Sequence, residues 1–190
     1  MSLSGVTTTT VKNILLDAGA VYLNYGVPVT ERLLGATSGG NKFKIIREFK
    51  DVEVDGVKGP VKGLKRIITE YATLEVNLKE LSKENLLLAL PGSAATLTDA
   101  KGVTGTTHNA IVSTGNIAAI DYMNNIAIVT TVSGSTEPCV IVIKNVLSDG
   151  ELEMELKDKD EAIATLTLTS HYDPADLTKV PYEIRYPVIA

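Results

Sequence analysis

Apolar and polar residues alternate with a period of two along most of this chain, and the period lengthens only once. The alternation is clearest over Ile68–Leu78. There Ile68, Ala72, Leu74, Val76 and Leu78 share one side, and Thr69, Tyr71, Thr73, Glu75 and Asn77 the other. Glu70 falls on the apolar side. A looser alternation from Lys42 to Phe49 sets Phe43, Ile45 and Phe49 against Lys44, Glu48 and Lys50, and Arg47 interrupts its apolar face. Ile111–Tyr122, Asn125–Val132, Pro138–Val146 and Ala162–Ser170 read as further strands. Ser148-Asp149-Gly150 is a hairpin turn signal. After it, Leu152, Met154 and Leu156 are expected inward and Glu151, Glu153 and Glu155 outward. Asn13–Asn24 reads as a strand rather than a helix, because of Gly19 and the β-favouring AVYLN. The single longer period follows Ser82, which caps a predicted helix from Lys83 to about Leu90, stopped by Pro91 and Gly92.

Between these segments lie connections of distinct character. Thr30–Asn41 is a Gly-containing connection, and Ser93–Asn109 a Thr/Gly-rich loop or ragged hairpin. Asp55–Gly63 holds three glycines and a proline in nine residues, a composition that regular structure does not accept. Residues 1–12 read as an N-terminal arm. Residues 172–190, with Pro174, Pro181 and Pro187, read as an extended C-terminal arm carrying an edge strand at Tyr182–Tyr186. The expected fold is mainly β: an antiparallel sandwich or barrel with one short flanking helix. It forms a single domain over 1–190, with a long loop at about 51–63.

Composition narrows the functions. With 190 residues and 44% hydrophobic content but no Trp and two Phe, the core is expected to be aliphatic. A net charge of −5 argues against sequence-independent nucleic-acid binding. The charge is uneven. Lys42, Lys44, Arg47, Lys50, Lys58, Lys62, Lys65 and Arg66 face four acids in one stretch, whereas Asp149–Glu161 carries seven acids and two lysines. Two readings follow, solvated faces or surfaces of opposite sign that meet between subunits. Cys139 stands alone in an apolar strand and is expected to be buried, which excludes a disulfide framework. The N-terminus lacks the pattern of a signal peptide, and the longest aliphatic run, Leu86–Leu90, is too short to span a bilayer; no membrane role is expected.

Catalytic, cofactor and metal sites are not expected. Gly35–Lys42 has the look of a phosphate loop, but Asn41 stands where the lysine belongs and a β pattern follows. His108 and His171 are the only histidines, and neither has a ligand at metal-binding spacing. The glutamates at 151, 153 and 155 form a linear row, unlike a calcium loop, and suit a solvated edge that resists strand addition.

One long ordered string is more specific. ERLLGATSGG, then REFKDVEVDGVKGPVKGLKRI, then ATLEVNLKELSKENLLLALPG, with AGAVYLNYG before them, resembles the major tail (tail tube) protein of siphovirus-type bacteriophages and prophages over about Ala18–Gly92. The resemblance implies a virion structural protein, assembled in the host bacterial cytoplasm and residing in the tail. Six copies would join sheet edges into a ring, and rings would stack into a hollow tube for genome passage. Implied partners are further copies, the tape measure, tail terminator and distal tail proteins, with DNA passing through the lumen unbound. The inter-ring role falls on the loop Asp55, Gly56, Val57, Lys58, Gly59, Pro60, Val61, Lys62 and Gly63. Glu151, Glu153 and Glu155 are candidates for an acidic lumen or a ring contact. The alternatives are a monomeric β-sandwich adhesion module of a phage tail, which predicts an aromatic-rich ligand face, and an enzyme, which needs convergent polar groups in a pocket.

Overall fold

A computed structural model describes residues 5–7, 9–156, 158–159 and 161–189, with the side chain of Glu155 also outside the described set. The strands are β1 (Leu15–Leu23), β2 (Arg32–Leu33), β3 (Thr37–Asp51), β4 (Lys65–Leu78), β5 (Ser93–Thr98), β6 (His108–Ser113), β7 (Met123–Val132), β8 (Cys139–Ser148), β9 (Glu153–Glu155), β10 (Ile163–Ser170) and β11 (Tyr182–Arg185). The helix α1 (Lys83–Ala89) follows β4. Nine strands form one sheet in the order β2-β1-β7-β8-β10-β4-β3, with β9 against β10 and β11 against β8. Every named pair is antiparallel. The fold is thus mainly β and antiparallel with one short α-helix.

The sheet rolls over on itself. Val21, Ile126, Ile128 and Ile143 from its β1-β7-β8 half meet Leu74, Val76, Leu78, Leu166 and Leu168 from its β4-β10 half in one buried cluster. Each such aliphatic side chain contributes about 1.5–3 kcal/mol when fully buried, so this row is the main source of stability. The two ends of the sheet approach each other where Asn41 Nδ2 on β3 donates to the Ala18 carbonyl on β1 at 3.0 Å. At that approach β1 carries a register shift between Leu16 and Ala20. Gly19 sits there at φ 77°, and a Cβ on it would lie 2.4 Å from Ile128 Cγ2, so only glycine fits.

The helix closes one end of this barrel. Ser82 caps it as the sequence predicts, its Oγ accepting from Asn85 N at 3.2 Å. Buried Asn85 holds the end together: its Nδ2 donates to the carbonyls of Leu34 (2.8 Å) and Glu80 (2.9 Å), and its Oδ1 accepts from Arg32.

Several expectations are corrected. Ser148-Asp149-Gly150 does not turn a hairpin between β8 and β9. Both strands run along β10, with Ser148 opposite Leu168 and Glu153 opposite Thr165, and the triplet is an irregularity between them. Asp149 Oδ1 accepts from Thr169 Oγ1 at 2.6 Å, and Gly150 lies over Thr167, where a Cβ would come within 2.5 Å. These contacts hold the triplet flat along β10. Ile111–Tyr122 is not one strand, since β6 ends at Ser113 and a 3-10 turn at Ala119–Asp121 intervenes. Asp121 Oδ2 accepts from Ala118 N at 2.7 Å and fixes that turn. Of the two readings of Ser93–Asn109, a loop or a ragged hairpin, the structure has the hairpin: β5 and β6 pair from Ser93/Ser113 to Thr98/His108 as a separate two-stranded sheet. β3 begins at Thr37, inside the expected connection, because Gly39 and Gly40 at φ 81° and 84° let the chain join the sheet irregularly. Met154 and Leu156 are exposed rather than inward, and only Leu152 packs on the core.

Candidate assembly interface

The hairpin of β3 and β4 outgrows the barrel. β10 covers β4 only from Thr73 to Leu78, whereas β3 accompanies it back to Lys65. Beyond the cross-strand pair Arg47–Glu70 the register shifts between Glu48 and Phe49, and a two-stranded ribbon continues to the pair Asp51–Lys65. Two-stranded ribbons bury little by themselves. Here Phe49, Ile67 and Ile68 are 53%, 49% and 60% exposed, and Val52, Val54, Val57 and Val61 follow them outward.

The loop at the tip is built from two tight turns. Val57 N donates to Val54 O (3.2 Å) and Leu64 N to Val61 O (3.1 Å). The third residue of each turn, Gly56 at φ 83° and Gly63 at φ 90°, takes the left-handed conformation that a type II turn requires. Asp55, Gly56, Val57, Lys58, Gly59, Pro60, Val61, Lys62 and Gly63 are all exposed. The loop folds around a cleft of about 470 Å³. No ion pair among the described residues engages Lys58 or Lys62.

Where the ribbon leaves the barrel, three polar side chains meet. Arg47 Nε donates to Glu70 Oε1 at 2.8 Å, Arg47 donates through a second nitrogen to the Tyr182 hydroxyl at 2.8 Å, and the Tyr182 hydroxyl donates to Glu70. Glu70's side chain is only 11% exposed. Its carboxyl is held below the usual range, first by the Tyr182 hydrogen bond and also by Arg47, against burial that acts the other way. Burial and Glu70 push the Tyr182 hydroxyl up. Arg47 and Glu70 each break the apolar alternation of their strand, which is a signal that they face each other. Tyr182, contributed from the C-terminal arm, is the member that sequence reasoning missed.

The acidic row lies at the other end of β4. Met154, Ala164 and Leu78 stand side by side across β9, β10 and β4, next to the helix. Glu151 and Glu153 are exposed there, and β9 has no described strand on its outer side. The 14 residues of β4 separate this row from the loop at the tip of the ribbon, roughly 40 Å along the strand. The structure therefore brings together neither the loop and the acidic row nor the two charged stretches as wholes. Their ion pairs run to residues outside the opposite stretch, as with Lys42 and Glu75 or Glu161 and Lys79.

Cys139 is buried, and burial pushes its thiol up. His171 is bonded through Nδ1 to Asn145 O at 3.1 Å and meets Tyr122 edge to face. No cluster of metal-ligating side chains occurs among the described residues, and no helix among them is long and apolar enough to cross a membrane.

No protein-family model matches the chain, and no curated protein matches it. Among solved structures it is similar to a chain from the tail of an empty GTA particle, obtained by helical refinement with C6 symmetry. The two are 8% identical with a TM-score of 0.41, covering 82% of this chain and 92% of that one.

Proposed function

We propose that this chain is a tail tube subunit of a siphovirus-type phage, prophage or related particle, a structural protein without catalytic activity. Six copies form a ring, and rings stack into a hollow tube. The observation that carries the reading is the projecting ribbon. It exposes Phe49, Ile67 and Ile68 and ends in the Gly/Pro/Lys loop of the tail-tube-like string, an arrangement that leaves apolar surface uncovered in a lone subunit and covers it in a stack.

The charge placement supports stacking in a fixed direction. The lysines of the loop lie at one end of β4 and Glu151 and Glu153 at the other, so the two meet between copies arranged head to tail, which is the geometry of an open filament. On this reading Glu151, Glu153 and Glu155 belong to the contact between rings rather than to the lumen. The tape measure, terminator and distal tail proteins are the further partners, and genomic DNA passes through without specific binding.

Negative-stain electron microscopy with light scattering on concentrated protein tests the proposal. Hollow tubes or six-membered rings are expected. Protein that stays monomeric even with its cognate tail initiator would instead fit a monomeric adhesion module.

A further inference from the structure

We propose that the Arg47–Glu70–Tyr182 joint is a lock fixing the ribbon to the barrel, and that breaking it at Glu70 or Tyr182 lets the β3–β4 pairing of the ribbon open more often. The inference rests on the fold alone and stands whether or not the chain forms tubes.

Three features place the lock. The weak point is the register shift between Glu48 and Phe49, the first irregularity after the long regular pairing from Asn41 to Glu48, where opening of the ribbon can stop. The joint lies directly on the barrel side of that shift, since Arg47 and Glu70 are opposite each other. Its third member comes from outside the hairpin. β11 pairs with β8 at Ile143–Val140, and Tyr182 packs on Phe43 with ring centroids 6.5 Å apart, so its hydroxyl ties the ribbon's root to the opposite half of the sheet. Past the joint no strand but β3 pairs with β4 among the described residues. Among the described residues the ribbon is then held by its own cross-strand bonds and by the hydrogen bonds of this joint.

The lock responds to acid because Glu70 is its shared acceptor. The charged and titratable groups around Glu70 are Arg47 on β3, Tyr71 on β4 and Tyr182 on β11. Asp149, His171 and Tyr172 line the adjoining groove of about 770 Å³. Asp149 and His171 are engaged elsewhere, by Thr169 and by the Asn145 carbonyl. Protonating Glu70 removes the charge that both Arg47 and the Tyr182 hydroxyl bind.

Amide hydrogen exchange on dilute protein with no scattering from assemblies tests this, read as the ratio of exchange at Phe49–Asp51 and Lys65–Ile68 to exchange at Leu74–Leu78. Tyr182→Phe and Glu70→Gln are each expected to raise the ratio roughly tenfold, the equivalent of one charge-assisted hydrogen bond. In the wild type the ratio should rise as pH falls below the ordinary carboxylate range. In Glu70→Gln it should be flat with pH, which separates Glu70 from Asp149 and His171. An unchanged ratio in both variants, a pH-independent wild type, or equal acceleration of ribbon and barrel would each overturn the proposal. Tube formation is read separately by microscopy, so the two ideas fail independently.

Discussion

Glu70 puts a carboxylate in the apolar row of β4, and its environment decides at which pH that choice stabilises the fold. Its folded pKa is depressed, first by the Tyr182 hydrogen bond. A depressed carboxyl contributes stability that is fully present above its unfolded value, about 4.3, and is lost as pH falls through the lower folded value. Thermal melts of wild type and Glu70→Gln should therefore differ near neutral pH, the wild type melting higher, and converge in acid below that window. A gap that persists unchanged into strong acid would remove Glu70's charge as the cause. Asn85 offers a second test. Replacing it with alanine leaves the buried carbonyl of Leu34 without its donor and Arg32 without its acceptor. The expected loss is about 2–3 kcal/mol in denaturant unfolding, with the same secondary structure by circular dichroism.

At the scale of elements, the strands with a wet face were legible and the exceptions were not. β4 and β10 follow the alternation because one side of each faces the common core, whereas β7 and β8 were legible as apolar runs, with Ala127, Val140 and Val142 buried on their other face as well. The helix was legible from Ser82 and Pro91-Gly92, which act locally. Gly150 was misread because a turn signal is also a bulge signal, and the choice depends on β10, which arrives later in the chain. Met154 and Leu156 were misread because alternation marks the apolar side of a strand but not how far along it the core reaches: Leu152 is packed on the core and the two residues beyond it on that side are not. The loop Asp55–Gly63 was found by composition, whereas the projection of its ribbon depends on where β10 stops, a fact of tertiary structure. Lys58→Glu with Lys62→Glu tests the loop: the double variant should keep the wild-type melting temperature to within a few degrees, since both side chains are exposed, while assembling poorly by sedimentation. Assembly equal to wild type would remove the loop from the contact.

For the whole molecule, uneven charge and an uncovered ribbon give different dependences on salt. If the lysines of one copy meet the glutamates of the next, tube mass measured by light scattering should fall as salt rises from about 0.05 to 0.5 M, because the screening length then shrinks below the reach of exposed charges. If the contact is chiefly Phe49, Ile67, Ile68 and the loop valines, tube mass should hold or rise. The sequence carried both possibilities. The structure separates the two groups to opposite ends of β4, so the loop lysines and the acidic row of one copy do not meet each other.

The way β10 and β11 share one edge of β8 has a practical consequence. The chain leaves that edge at His171, whose N–H donates to the Lys144 carbonyl at 3.3 Å, and rejoins it at Pro181, whose carbonyl accepts from Lys144 N at 2.8 Å. Both ends of the excursion are thus pinned to one residue, and lengthening a pinned loop costs little, about 0.6 kcal/mol per doubling. A foreign epitope of moderate size spliced in between Lys179 and Val180, both exposed, should be displayed without loss of folding. Antibody capture of the soluble graft, with a melting temperature close to the parent's, is the expected result. In an assembled particle every copy would then carry the graft in the same place, making this excursion a natural site for patterned display.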